Sequence, residues 1–255
     1  MEFMRHKLLF LPFLIAIVGL SMLGQRDAVD AAVPAPVLDG PVVVELFTSQ
    51  SCSSCPPADA LLGELAEHDN IIALGCHVTY WDHLNWRDTL SRKFCTDRQR
   101  AYARQMGSRQ VYTPQMVVNG DIEFVGSNRS EATRAIATTT VLPIKLELTD
   151  ENTITATLPA LPQGAGRQTL WLMRTHSEHT QAIKSGENRG RTITYVNSVE
   201  TLEQRGTWPG TAQTLSFPLP KGDAENPSYV LIAQPQGFGE ISAAGRLSST
   251  ISVKP

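Results

Sequence analysis

Cysteine and histidine are scarce in this chain, with four and six copies in 255 residues, and aromatic residues make up only 7%. Charge is thin as well: charged residues reach 18%, and the formal net charge is -3. Such a balance gives no electrostatic reason to expect nucleic acid or an anionic membrane surface as a partner. After Leu23 no long apolar run recurs, so the sequence indicates no membrane contact beyond its opening segment. Neither a second Cys-X-X-Cys nor a His-X-X-X-His accompanies Cys52 and Cys55, which argues against a structural zinc site.

The opening segment has the form of an export signal. Arg5, His6 and Lys7 precede an apolar stretch from Leu8 to Leu23, and Val29-Asp30-Ala31 offers a cleavage site, giving a signal peptide over 1–31. The alternative is a retained membrane anchor, since the stretch is only slightly short for a bilayer. With either outcome the expected location is periplasmic or secreted. Residues 32–40 (AVPAPVLDG) read as a Pro-rich linker.

Residues 41–140 read as one domain and 141–255 as another. Pro41 to Phe47 is a β-branched run too short for a helix; a polar turn, Cys52-Ser53-Ser54-Cys55 and a helical stretch follow, then a buried strand from Ile71 to Val78. This is a βαβ unit. An aromatic connection, Tyr80 to Trp86, leads to a helix that Asp88 is expected to cap. Thr113-Pro114 introduces a strand, Asn119-Gly120 marks a hairpin, and Asn128 with Glu131 resembles a capping box. From Leu142 on, short alternating runs separated by Gly, Pro, Asn and Asp predict an antiparallel, sandwich-like β domain.

The chemistry concentrates at Cys52 and Cys55. A cysteine at a helix N-terminus faces unpaired N–H groups and the positive end of the dipole, which favour thiolate. Cys52 is then the nucleophile and Cys55 the resolving thiol. The bland alternative is a structural disulfide. Cys76 and Cys95, left over in an oxidising compartment, are expected either to pair or to remain buried free thiols. Between two β runs, Gly186 to Arg191 is either a solvated loop or one folded back over the site to present Arg189 or Arg191.

The order strand, Cys-X-X-Cys, helix, strand, helix, Thr-Pro hairpin and helix resembles the thioredoxin fold. That resemblance implies a cis Pro114 beside the cysteines, with Thr113 offering backbone groups to substrate. It also implies Glu45 as a buried acid able to accept the Cys55 proton; pairing with an arginine is the alternative. More narrowly, ELFTSQSCSSCPPAD (45–59), HVTYWDHLNW (77–86), RQRAYA (98–103), VYTPQMVVNG (111–120) and SGENRGRTITYVNSV (185–199) together resemble the bacterial domain of unknown function 1223 family of secreted proteins. The expected fold class is thus an α/β thioredoxin-like domain followed by an all-β, sandwich-like C-terminal domain. No Trp precedes Cys52, and Trp81 or Trp86 is expected to supply the missing groove wall. The dipeptide between the cysteines holds no histidine, which tilts the expectation toward a reductant or isomerase.

The function expected is thiol–disulfide exchange on protein thiols or disulfides of the envelope, with an external electron donor or acceptor and no cofactor or metal. The alternative is a protein-binding or metal-carrying module similar to a copper chaperone, in which His77 and His83 would join the two cysteines.

Overall fold

The structure, a computed structural model, describes residues 40–248. The expected signal over 1–31 and nearly all of the linker over 32–40 lie outside the described residues.

Val42–Thr48 is buried throughout and forms β1, a mostly apolar run covered on both faces and interrupted by Glu45. It passes through the cysteine motif into α1 (Pro56–Ala66), which buries Ala58, Leu61, Leu62 and Leu65. β2 (Ile71–His77) returns parallel to β1, with Val42 beside Ile71 and Thr48 beside His77. Asp88 does not cap the next helix. It accepts the Gln50 and Leu90 N–H groups, and α2 (Lys93–Gln105) starts only at Lys93. β3 (Gln115–Val118) and β4 (Ile122–Val125) form the Asn119-Gly120 hairpin, both turn residues taking positive φ, 48° and 75°. Asn128 caps α3 (Arg129–Thr138) by accepting the Glu131 N–H at 3.2 Å.

The remaining described elements are strands: β5 (Leu142–Pro143), β6 (Lys145–Asp150), β7 (Thr153–Leu158), β8 (Gln168–Ala182), β9 (Thr192–Trp208), β10 (Gln213–Pro218), β11 (Pro227–Pro235) and β12 (Ala243–Ser248). β10, β7 and β6 form a three-stranded antiparallel sheet. The other strands join the first half of the chain. β9 lies parallel to β2, Ser198 beside Gly75, so one nine-stranded mixed sheet runs in the order β4-β3-β1-β2-β9-β8-β11-β12-β5.

This overturns the expected fold class of an α/β thioredoxin-like domain followed by a separate all-β sandwich. The chain is mostly β, with three helices among the described residues and a main sheet drawn from both halves. The cause is local. Gly75 lacks the side chain that would hold β9 away: a Cβ there would lie 3.3 Å from the Val196 carbonyl oxygen and 3.7 Å from Leu62 Cδ2. The apolar core crosses the same line, with Val43, Ile72 and Leu74 packed among Met173, Val199, Val230 and Ile232.

Cys76 on β2 and Cys95 on α2 are disulfide-bonded, their Cα atoms 5.3 Å apart and both side chains buried. The bridge ties α2 to the sheet within a cluster that includes Phe47, Val78, Tyr102 and Val117. Closing such a loop contributes roughly 3 kcal/mol on the chain-entropy model. Among the described residues no helix is long and apolar enough to cross a membrane.

Gly75→Val is expected to destabilise the protein by about 2 kcal/mol, because the added methyls meet the Val196 carbonyl and Leu62. Gly63→Ala, in α1 with nothing within 4 Å of the new Cβ, should stabilise it by about 1 kcal/mol. Urea midpoints of the two variants, moving in opposite directions from the parent, check both.

Candidate functional site

β1 ends at Thr48, and the chain turns at once: the Cys52 N–H bonds the Ser49 carbonyl at 3.1 Å and the Cys55 N–H bonds the Cys52 carbonyl at 3.2 Å. Cys52 and Cys55 are disulfide-bonded, with Cα atoms 5.4 Å apart. Cys55 is the N-cap of α1 and is itself helical, at φ -78° and ψ -36°. Pro56 and Pro57 follow as the first two helical residues, where a missing N–H costs nothing. The preference of a pre-proline residue for extended geometry is thus overridden at Cys55. The pair is graded in accessibility: Cys52 is 4% exposed and Cys55 0%, while Ser53 and Ser54 are exposed. The Ser54 hydroxyl lies 3.4 Å from Cys52 Sγ and can donate to it.

The Thr113–Pro114 bond is cis. Pro114 accepts the Gly126 N–H at 2.9 Å, and a Cβ at Gly126 would lie 3.2 Å from both Pro114 Cβ and Ala58 Cβ. Pro114 therefore sits against the first turn of α1. Thr113 is held by Trp81, whose Nε1 donates to its hydroxyl at 2.8 Å. Trp86 lies on the turn before the cysteines, donating from Nε1 to Gln50 Oε1 at 2.9 Å and accepting the Ser51 hydroxyl at its carbonyl. Both tryptophans are half-buried; Trp81 also packs against the core cluster around the Cys76–Cys95 bridge.

The tip of the β8–β9 hairpin folds back onto the motif. It does so through Glu187 and Asn188, whereas Arg189 and Arg191 are exposed. Asn188 Nδ2 donates to the Gln50 and Cys52 carbonyls, each at 2.9 Å. Glu187 Oε2 accepts the Ser53 N–H at 3.2 Å. Gly186 fits under Trp86, where a Cβ would lie 3.2 Å from Trp86 Cβ, and the Ser185 hydroxyl bonds the Asn85 carbonyl. Asn188 was missed by sequence reasoning. The polar, glycine-flanked tip between two β runs was the available signal, and it pointed to the arginines beside it.

Glu45 does not lie beneath the cysteines. It faces α2, where Arg98 donates Nε to Oε1 at 2.6 Å and Nη2 to Oε2 at 2.9 Å, and the Tyr102 hydroxyl adds a bond at 2.5 Å. A carboxylate so engaged is a structural partner, not a proton relay. The acid on the motif's own side is Asp59, one helical turn after Cys55 and on the same buried face of α1. Thr48 donates to its Oδ1 at 2.8 Å, while Oδ2 is buried without a hydrogen-bond partner. Burial pushes the Asp59 carboxyl up to about 7, against the pull of His77 and of the Thr48 hydroxyl.

His77 and Asp88 complete this buried group. His77 Nδ1 meets Asp88 Oδ2 at 2.7 Å, Ser198 Oγ lies 3.4 Å from Nε2, and the Tyr195 ring packs edge-on at 4.8 Å. Burial acts to lower the His77 pKa, but the Asp88 carboxylate outweighs it and holds the imidazole above its ordinary value. Ser, His and Asp in this order resemble a hydrolytic triad. Ser198 and His77 are each only 1% exposed, so no substrate reaches them. His83 lies elsewhere, exposed in a groove with Leu84, Asn85, Gly186, Glu187 and Arg189. Among the described residues no three His, Cys, Asp or Glu side chains converge in a way that could hold a metal ion.

The sequence profile of a family described as Protein of unknown function (DUF1223) matches residues 43–234. No curated protein matches the chain significantly. Among solved structures, the crystal structure of a protein from Agrobacterium tumefaciens is similar over 86% of this chain and 99% of its own, at 25% identity and a TM-score of 0.72. HBP35 of Porphyromonas gingivalis is similar over 84% of this chain and 76% of its own, at 14% identity and a TM-score of 0.52, a likeness of fold alone.

The Asp59 carboxyl sets a pH dependence of stability. Between its ordinary value of 3.8 and about 7 the folded protein keeps a proton that the unfolded chain has released, so stability falls as pH rises through that window and then levels off. Asp59→Asn is expected to flatten this fall. Urea midpoints measured across the window check it, and a slope unchanged in the variant would show that Asp59 ionises normally.

Proposed function

The chain belongs to the DUF1223 family, and we propose that it works there as a thiol–disulfide oxidoreductase on protein substrates. The observation that carries this reading is the Cys52–Cys55 pair at the start of α1, with Cys52 the less deeply buried, the buried Asp59 one turn on, and Pro114 packed through Gly126 against the same helix. In shape this site resembles the active centres of thioredoxin-like proteins. Two disulfides suit an oxidising, extracytoplasmic compartment. The buried Cys76–Cys95 bridge is the structural one, since no substrate thiol reaches it.

In the reducing direction the Cys52 thiolate attacks a substrate disulfide. A mixed disulfide forms, and the second substrate sulfur leaves as a thiolate. The Cys55 thiol passes its proton to the Asp59 carboxylate and attacks Cys52 Sγ. The Cys52–Cys55 bond closes, the first substrate sulfur departs, and the released proton and one from solvent complete the substrate dithiol. Two electrons have moved from protein to substrate, and an external dithiol restores the reduced pair. Every step runs backwards when the protein oxidises. Asp59 suits the relay because a group titrating near neutral pH can both accept and return a proton. In this reading Thr113, Pro114 and the Trp81 bonded to Thr113 are assigned to one wall of the substrate approach, and Trp86 with the hairpin tip, both bonded to Gln50, to the other.

Cys52→Ser is expected to abolish reduction of a model protein disulfide such as insulin's, whereas Cys55→Ser should accumulate mixed disulfides with its partners. Asp59→Asn should slow resolution about tenfold while leaving the first attack unchanged. Stopped-flow measurement of the two phases separates these effects. Loss of neither phase in the Cys52 variant, or preferential alkylation of Cys55 in the reduced protein, would overturn the assignment.

A further inference from the structure

A cysteine at a helix N-terminus ordinarily owes its thiolate to free backbone N–H groups. Around Cys52 most of those groups are spent, the N–H of the exposed Ser54 excepted. Pro56 and Pro57 occupy the first two positions of α1 and have no N–H to offer. The next two, of Ala58 and Asp59, both bond the Cys55 carbonyl, at 2.8 and 3.1 Å. The Cys55 N–H bonds the Cys52 carbonyl. The Ser53 N–H, first after Cys52, is taken by the Glu187 carboxylate at 3.2 Å. Asn188 anchors that carboxylate in place through the Gln50 and Cys52 carbonyls. A donor that does reach Cys52 Sγ is the Ser54 hydroxyl, at 3.4 Å.

We infer that Glu187 is a positioning residue that tunes the redox pair: it occupies the Ser53 amide, sets a negative charge beside Cys52, and so disfavours the thiolate. The inference rests on the oxidoreductase reading and gives it a direction. Destabilising the reduced form favours the disulfide, so the pair is poised to donate electrons, opposite to strong oxidants whose reduced form is stabilised. Other ionisable groups around the motif are Asp59 in α1, the buried His77 and Asp88 behind the turn before it, and His83 and Arg189 in the groove that Glu187 lines. Their mixed signs leave Glu187 as the carboxylate bonded directly to the motif's backbone.

The test measures the pH dependence of Cys52 alkylation in the reduced, full-length protein. Glu187→Gln keeps the shape and removes the charge. It should lower the Cys52 pKa, raising alkylation on the acid side about threefold, and Glu187→Lys should raise it further. Ser54→Ala should move the pKa the other way. Above the Cys52 pKa, the Glu187→Gln equilibrium with glutathione should shift toward the dithiol by the same factor of about three, equivalent to about 14 mV. Well below that pKa the shift should vanish, since the reduced pair is then two neutral thiols in parent and variant alike. A merely structural role would give no such pH dependence, and added salt should shrink the effect. A Cys52 pKa unmoved in both Glu187 variants would overturn the inference. Alkylation needs no turnover, so the two readings fail separately. A shifted pKa without protein disulfide exchange would sink the oxidoreductase reading alone, and exchange with an unmoved pKa would sink the tuning alone.

Discussion

Where β9 runs beside β2, Ser198 faces Gly75, whose missing side chain lets the Val196 carbonyl approach closely. That contact fixes the position of everything β9 carries. It brings Ser198 and Tyr195 against His77, completing the buried polar group behind the cysteine motif. It also aims the β8–β9 hairpin along the sheet, so that its tip arrives over Cys52 rather than in solvent. One close approach between strands thereby joins a fold-level feature to the chemistry of a four-residue turn.

The buried polar group costs stability, and its arrangement shows what is obtained in return. Asp88 and His77 satisfy one another at 2.7 Å, and Asp88 also takes the Gln50 and Leu90 N–H groups, so the turn before the cysteines is pinned from below. Asp59 is less completely served, with one oxygen bonded by Thr48 and the other unpartnered. An apolar residue of similar size would be the more stable choice there. A carboxyl left half-satisfied and titrating near neutral pH is instead suited to moving a proton. Glu45, equally buried but fully engaged by Arg98 and Tyr102, shows the other fate of an acid in a core.

The parts of this architecture legible in the sequence are those set by local chemistry. β1 and β2 stood out as β-branched apolar runs, Asn119-Gly120 as a hairpin turn, and Asn128 as a helix cap. The motif cysteines and Pro114 could be marked because their neighbours in sequence define their setting. What escaped depends on partners far along the chain. The pairing of β2 with β9 leaves no periodic trace, since a parallel contact at a glycine needs only the absence of a side chain. Arg174 to Ala182 of β8 and Glu203 to Thr207 of β9 are polar on both faces, so alternation revealed only parts of strands of 15 and 17 residues. Glu45 drew attention as a lone acid because its arginine lies 53 residues away. Asp59 was overlooked beside it because an acid in the first turn of a helix is ordinarily a surface residue favoured by the dipole.

The long sequence interval between Cys52 and Asn188, 136 residues, orders events during synthesis as well as in the finished fold. The chain is made from its N-terminus, so all four cysteines leave the ribosome before the hairpin that will cover the motif exists. Throughout that interval Ser53 and the Cys52 carbonyl have no cover from Glu187 and Asn188, and the nascent sulfurs are open to any thiol chemistry around them. The sulfurs thus precede their cover in the order of the chain, and the seal over the motif can be set only once the β8–β9 hairpin exists.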